Sequence, residues 1–427
     1  MSENIYIRFL NKLEEIEYKS IQWGYTAGTL SEDELYDEAD KFLELSTNYD
    51  LESEDLVEYL IEEKLLFEVN TLQGEGYRTR FGESLFLLTN LRQMFNKNKW
   101  KESPSLVSDF RVNLQKRFYP KREVDPVYML ENDNPLKITS LQKSIWNDLT
   151  KGFTLAKFQS NATNELLKEN SVYNGVIVTA GTGSGKTLSF YLPALLRIVD
   201  SVEKDNSNWT RVIAAYPRVE LLRDQFSEAI QQSLSISKTL EYNDVRPIKI
   251  GALYGAIPNS ASNEELRSKG WKRNTQDTGW ICPIINCPYT HTELLWLDSD
   301  ISKSIERLVP NNEVEGAVTL SSKHIILTRD RMINEAPDLL FITLEMINKR
   351  LSDSKVNRLF GIRKRKEQRP FLMLLDEVHT YTGTTGAQAS MVLKRWKQAL
   401  MAPVKFVGLS ATLTEAERFF SELTGIY

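Results

Sequence analysis

The sequence predicts an α/β fold with a mainly parallel sheet, covered by helices on both faces and preceded by a smaller helical region. Two observations predict it. From about Leu141 onward, short apolar runs of β type alternate with helical patterns, and one run leads through a glycine-rich loop into a helix. The runs cover residues 175–179, 212–215, 339–342, 371–375 and 406–409. A strand that is apolar on both faces is buried on both, which is the condition of a parallel sheet between helical layers.

The chain before this domain has a different character. Leu35, Phe42 and Leu43, then Leu56, Leu60, Ile61 and Leu65, recur at helical spacing. A short apolar run (65–69), the glycines Gly74 and Gly76, the basic stretch Tyr77-Arg78-Thr79-Arg80 and a further helix follow. Residues 1–100 are therefore expected to form an acidic helical region, either winged-helix-like with wing arginines that reach phosphate or a small helical packing domain. Residues 101–140, rich in Pro, Asp and Asn, are expected to be a linker, and 141–427 the α/β domain.

Charge divides the chain in the same way. Residues 1–70 hold 19 acidic against 5 basic side chains, whereas the whole 427-residue chain has a net charge of −5. The remainder is mildly basic and compatible with a polyanionic partner. No apolar run approaches the roughly 20 residues that span a bilayer. The first residues lack a basic-then-apolar leader, and two cysteines in a chain this long fit a reducing, cytoplasmic setting without a disulfide framework.

The glycine-rich loop is Ala180-Gly181-Thr182-Gly183-Ser184-Gly185-Lys186-Thr187. Between a strand and a helix, its glycines let backbone N–H groups turn inward as an anion nest at the helix N-terminus. Lys186 is expected on the β- and γ-phosphates of a nucleoside triphosphate, and the Thr187 hydroxyl in the Mg²⁺ shell. About 190 residues on, the run 371–375 delivers Asp376-Glu377-Val378-His379. A carboxylate at the end of a buried strand is costly unless a cation meets it, so Asp376 is the second expected Mg²⁺ contact. Glu377 is expected to orient the attacking water.

These strings, with Ser410-Ala411-Thr412 after the next strand, resemble motifs I, II and III of the superfamily 2 DEAD/DEAH-box helicases, in an Asp-Glu-Val-His spelling. Ala180 in the first slot of the loop is the helicase form of the motif. The resemblance covers about residues 155–425 and implies a RecA-like, ATP-hydrolysing domain. It further implies that Gln159, 27 residues before Lys186, reads adenine, with Gln142 an upstream competitor. Pro217 and Arg218, with Gln225, resemble motif Ia, and Thr343 opens a later strand-binding motif; the resemblance places both on nucleic-acid backbone. The resemblance also implies that His379, Ser410, Ala411 and Thr412 couple hydrolysis to movement. The longer string through Thr380-Tyr381-Thr382-Gly383 and Gly386-Ala387-Gln388 is similar to the MrfA/YprA-like branch and to bacterial phage-defence helicases of the DISARM and Dpd kinds. DNA is therefore the expected substrate ahead of RNA, and defence-complex proteins are expected partners.

A stretch at about 256–337 exceeds what a minimal helicase domain needs. It contains Cys282, Cys287 and His291, three soft groups that suit Zn²⁺, although Cys-x4-Cys is wider than the usual spacing and an ordinary packed loop is the simpler expectation. Family members close a second RecA-like domain over the ATP, and this chain stops about 15 residues after Thr412. The expectation is thus one half of an ATPase, with the other half elsewhere in the polypeptide or on a partner, and slow hydrolysis by this chain alone. The alternative is a non-catalytic nucleic-acid-binding or assembly module that uses nucleotide as a conformational switch.

Overall fold

The computed structural model describes residues 4–22, 25–45, 51–71, 74–94, 120–132, 138–168, 174–181, 183–411, 413 and 415–426. The chain divides into two compact units, residues 1–116 and 117–427.

In the first unit, α1 (Ile5–Ile21), α2 (Glu32–Glu44) and α3 (Ser53–Glu62) precede a hairpin of β1 (Leu66–Thr71) and β2 (Gly74–Thr79), and α4 (Arg80–Met94) follows. Local chemistry starts each helix. Asn4 accepts the Tyr6 N–H, and Ser31 with Glu34 forms a reciprocal capping box under an acidic first turn. Between α1 and α2, Leu30 forms an isolated antiparallel bridge with Tyr77. Phe9, Leu13, Leu35, Leu56, Leu60 and Leu66 form the buried core. Arg78 does not reach outward as expected. It is 4% exposed, donates to Glu83 at 2.6 Å and to the Gly28 carbonyl at 3.0 Å, and lies over the Phe86 ring. A guanidinium inside a fold needs such partners, so Arg78 holds the hairpin to its neighbours.

The second unit opens with β3 (Arg122–Val124) and α5 (Pro126–Asn132), inside the stretch expected to be linker. The helix belongs to the core instead, because Met129 is fully buried and the Trp146 indole donates to the Pro126 carbonyl at 3.1 Å. Then come α6 (Ser140–Thr150), β4 (Leu155–Ala156), α7 (Lys157–Leu167), β5 (Gly175–Thr179), α8 (Leu188–Lys204), β6 (Val212–Tyr216), α9 (Val219–Ser235), α10 (Ser237–Tyr242) and β7 (Ile250–Leu253). After α11 (Asn263–Ser268), the strands β8 (Lys272–Arg273), β9 (Gly279–Ile281), β10 (Leu294–Leu297) and β11 (Leu308–Pro310), with α12 (Asp298–Ile301), build a separate four-stranded sheet. β12 (Ile325–Ile326) and α13 (Arg329–Asn334) return to the main body. β13 (Leu339–Thr343), α14 (Leu344–Arg350), β14 (Leu372–Leu375), α15 (Gly383–Leu400), β15 (Lys405–Ser410) and α16 (Ala416–Thr424) complete it.

The main sheet has seven strands in the order β12-β7-β13-β6-β14-β15-β5, every pair parallel. All residues of β6, β7 and β14 are buried, as apolar runs between two helical layers must be. β7 and β12, short runs absent from the sequence-based strands, widen the sheet at one edge. Parallel strands with crossover helices put all carboxyl ends on one side, where open α/β sheets bind ligands. At the opposite ends, the fully buried Asp338 accepts from Arg211 at 2.5 Å and Arg246 at 2.7 Å, clamping the starts of β6 and β13. The separate sheet is tied to the main body by Glu306, which accepts the N–H groups of Leu327 and Thr328 and the Arg331 guanidinium.

Candidate nucleotide site and nucleic-acid groove

The loop after β5 runs from Ala180, whose N–H donates to the Ser410 carbonyl, to Thr187 at the start of α8. Gly183 and Gly185 take left-handed conformations, with φ of +75° and +82°. L side chains strain there and glycine does not. Gly181 and Gly183 are exposed, whereas Ser184 and Lys186 are buried. Neither the Lys186 ammonium nor the Ser184 hydroxyl has a hydrogen-bond partner. A buried cation left unpaired costs free energy unless a ligand supplies the anion, so this loop fits a polyphosphate. Thr182 lies outside the described residues.

Gln159 is 1% exposed and both ends of its amide are engaged. Its Oε1 accepts the Ala156 N–H and its Nε2 donates to the Gly185 carbonyl, each at 2.8 Å. The side chain therefore ties the start of α7 to the phosphate loop. Gln142 has a different duty: it caps α6 with Thr139 and donates to the Leu196 carbonyl at 3.0 Å.

Asp376 leaves β14 toward Lys186, and its carboxylate accepts the Glu377 N–H at 2.8 Å. Burial pushes its pKa up to about 6; the negative Glu377 adds to that rise, while the Glu377 N–H bond and Lys186 oppose it. Glu377 adopts a left-handed backbone, φ +47°, of the strained kind that functional sites retain. Its carboxylate lies 3.2 Å from His379 Nδ1, which also lies 3.3 Å from the Ser410 hydroxyl at the end of β15. Ala411 follows in a bend, and Thr412 lies outside the described residues. In the string after His379, a Cβ on Gly386 would come within 2.2 Å of the Tyr381 carbonyl oxygen, so α15 can begin this close only with glycine there.

Pro217 after β6 and Thr343 at the end of β13 line one groove of about 530 Å³, with Tyr254, Lys349, Thr385 and Gln388. The Thr343 hydroxyl accepts the Met346 N–H and caps α14. Arg218 is exposed at the N-cap of α9, outside the groove lining.

The zinc expectation does not hold. Among the described residues no three or more His, Cys, Asp or Glu side chains gather to hold a metal. Cys282 and Cys287 are both buried. Burial pushes the Cys282 thiol up to about 11 against hydrogen bonds from the Ile285 and Ile284 N–H groups. At Cys287 burial is outweighed by hydrogen bonds from the Thr290 side chain and from Val318, Thr290 and Tyr289 N–H groups, which lower it. His291 is exposed on a left-handed backbone.

Two neighbours of the phosphate loop escaped the sequence reading. Phe153 and Arg122 line a cavity of about 590 Å³ with Asp125, Asn147 and Lys151. The Arg122 guanidinium lies beside Gly185, 3.7 Å from where a Cβ on that glycine would stand. An aromatic six residues before Gln159 was a usable signal for Phe153. Arg122 had none, since only strand pairing brings it there.

Residues 156–268 match the model of the DEAD/DEAH box helicase family. Over 389 residues the chain is 25% identical to Druantia protein DruE of Escherichia coli (strain UMEA 4076-1), covering 80% of this chain and 21% of that protein. Among solved structures, Mycobacterium smegmatis helicase Lhr bound to ssDNA and AMP-PNP shares 20% identity over 67% of this chain and 26% of its own, with a TM-score of 0.42. DUF1998 helicase MrfA bound to DNA shares 17% identity over 72% of this chain and 30% of its own, with a TM-score of 0.41. The chain thus spans about a fifth of the Druantia protein and under a third of either solved helicase. The phosphate loop, Asp376-Glu377 and Ser410 thus stand at adjoining strand ends of a RecA-like α/β unit, and residues 156–268 of that unit are similar to the DEAD/DEAH box helicase family.

Proposed function

We propose that this chain is the ATP-binding half of a DNA helicase or translocase, working in the bacterial cytoplasm in defence against phage. The observation that carries the motor reading is the buried, unpartnered Lys186 ammonium beside Asp376. Lys186, the Ser184 hydroxyl and the loop N–H groups receive the phosphates, and Gln159 holds the loop in shape from behind. Thr187 and Asp376 would hold Mg²⁺, which when bound neutralises charge on the transferring phosphoryl group. Glu377 orients the water that displaces ADP from the γ-phosphorus, and positioning supplies most of the acceleration. His379 and Ser410 pass the state of that site to the strand-end loops, where Pro217, Arg218 and Thr343 hold the nucleic-acid backbone.

A second RecA-like domain, in the same polypeptide or a partner chain, supplies the opposing face over the exposed Gly181 and Gly183. The defence assignment rests on the extended Asp-Glu-Val-His string and on the similarity to Druantia protein DruE. The test is DNA-stimulated ATP hydrolysis and strand translocation with that second domain present, for wild type, Lys186→Ala and Glu377→Gln. Loss of both activities in both variants is expected. Wild-type translocation by the two variants overturns the motor reading in favour of a nucleotide-switched binding module, and stimulation by RNA alone overturns the DNA assignment.

A further inference from the structure

We propose that Arg122, on the strand that precedes the ATPase core, is a nucleotide-contacting residue that binds the nucleoside end of ATP at its α-phosphate. The inference rests on reading the phosphate loop as a nucleotide site and adds a residue from outside the motifs. β3 pairs antiparallel with β4, with Arg122 opposite Ala156. Ala156 is the residue whose N–H is held by Gln159, and the other end of the Gln159 amide holds Gly185. The pairing therefore delivers the Arg122 guanidinium to the flank of the phosphate loop, beside Gly185.

The same side chain lines the cavity that Phe153 shares, so one guanidinium is common to that cavity and to the flank of the loop. A triphosphate gripped by Lys186 and continuing into the cavity must pass this point with its α-phosphate. A guanidinium suits that position, because it stays charged and presents several donors in a fixed fork. The side chain is exposed, and among the described residues no carboxylate pairs with it, so it is free to take an anion. The backbone beneath it is held: the Arg122 carbonyl accepts the Thr154 hydroxyl at 3.2 Å.

The experiment is equilibrium binding of MgATP, MgADP and inorganic pyrophosphate to the full chain, comparing wild type with Arg122→Ala, Arg122→Lys, Thr154→Val and Lys186→Ala. Arg122→Ala is expected to weaken ATP and ADP alike by about ten-fold, the effect of one hydrogen bond to a charged group. Pyrophosphate, which fills the β and γ positions and lacks the third phosphate, should bind at the wild-type level, and Arg122→Lys should recover part of the loss. Unchanged ATP binding by Arg122→Ala overturns the proposal, as does an equal loss for pyrophosphate, which marks a general charge effect on the loop. A loss of the same size in Thr154→Val also overturns it, because that variant loosens the strand and keeps the guanidinium. Lys186→Ala separates the two readings: if it binds all three ligands as wild type does, the phosphate-loop reading has failed, whatever Arg122 does.

Discussion

The Ser410 hydroxyl lies 3.3 Å from His379 Nδ1, on the same nitrogen that stands 3.2 Å from the Glu377 carboxylate. When Nδ1 carries a proton it donates to Glu377; when it does not, it accepts from Ser410. One ring nitrogen thus joins Glu377 to the end of the neighbouring strand.

That link predicts a separation of functions. Ser410→Ala should leave ATP binding at its wild-type level and lower strand separation more than hydrolysis. A double-mutant cycle with His379→Ala, read on translocation rate, should show a coupling of about 0.5–1.5 kcal/mol, typical of a single hydrogen bond. Additive losses would mean that the two side chains act independently.

Gly185 predicts a strained variant. An alanine there keeps φ near +82°, and its Cβ would meet Gln159 Nε2 at 2.9 Å. Gly185→Ala should cost about 1–2 kcal/mol in stability from the left-handed backbone and abolish measurable nucleotide binding as the Gln159 tie breaks. Wild-type ATP affinity in this variant would contradict the role given to that tie.

Asp376 predicts opposite pH responses for stability and activity. Its carboxyl is raised from the ordinary value of 3.8 to about 6 by burial, so the folded chain holds the proton more tightly than the unfolded chain. Stability from this group is complete below about pH 4 and is lost as pH rises through 6, on the order of 3 kcal/mol by linkage. Asp376→Asn should therefore melt above wild type at pH 7.5, with the gap closing toward pH 4, and should be inactive throughout. In the wild type, Mg²⁺-nucleotide binding should fall as pH drops below 6. A lower melting temperature for Asp376→Asn at pH 7.5 would refute this assignment.

The buried pair at the other end of the sheet predicts a structural effect alone. Asp338→Asn leaves Arg211 and Arg246 without their carboxylate and should destabilise the fold by about 3–5 kcal/mol. Chemical denaturation measures this directly, and a loss within the error of the method would remove the clamp from the account of β6 and β13.

Metal analysis closes the question of the cysteines. The purified chain should contain less than about a tenth of an equivalent of zinc, and a chelator should leave its melting temperature unchanged. Stoichiometric zinc would overturn the reading of two separately satisfied thiols.

The elements that were legible in the sequence are those encoded in contiguous residues. The apolar runs of β5, β6, β13, β14 and β15 announce burial on both faces, and the phosphate loop and Asp376-Glu377 sit at strand ends because strand, turn and helix follow one another along the chain. Their chemistry is local, a matter of backbone conformation and residue type within eight positions, so the string suffices. What lay beyond the sequence depends on partners far apart in it. Arg78 looks like a wing arginine until Glu83, Gly28 and Phe86 surround it. Cys282, Cys287 and His291 look like a ligand set, yet among the described residues no such group gathers to hold a metal. By itself, the sequence determined the α/β class, the helicase motifs and the ends of the strands that carry them. Only the tertiary structure decided that Gln159 braces the loop, that His379 joins Glu377 to Ser410, and that Arg122 stands beside Gly185. Sheet register and strand pairing set those distances, and they are properties of the packed chain.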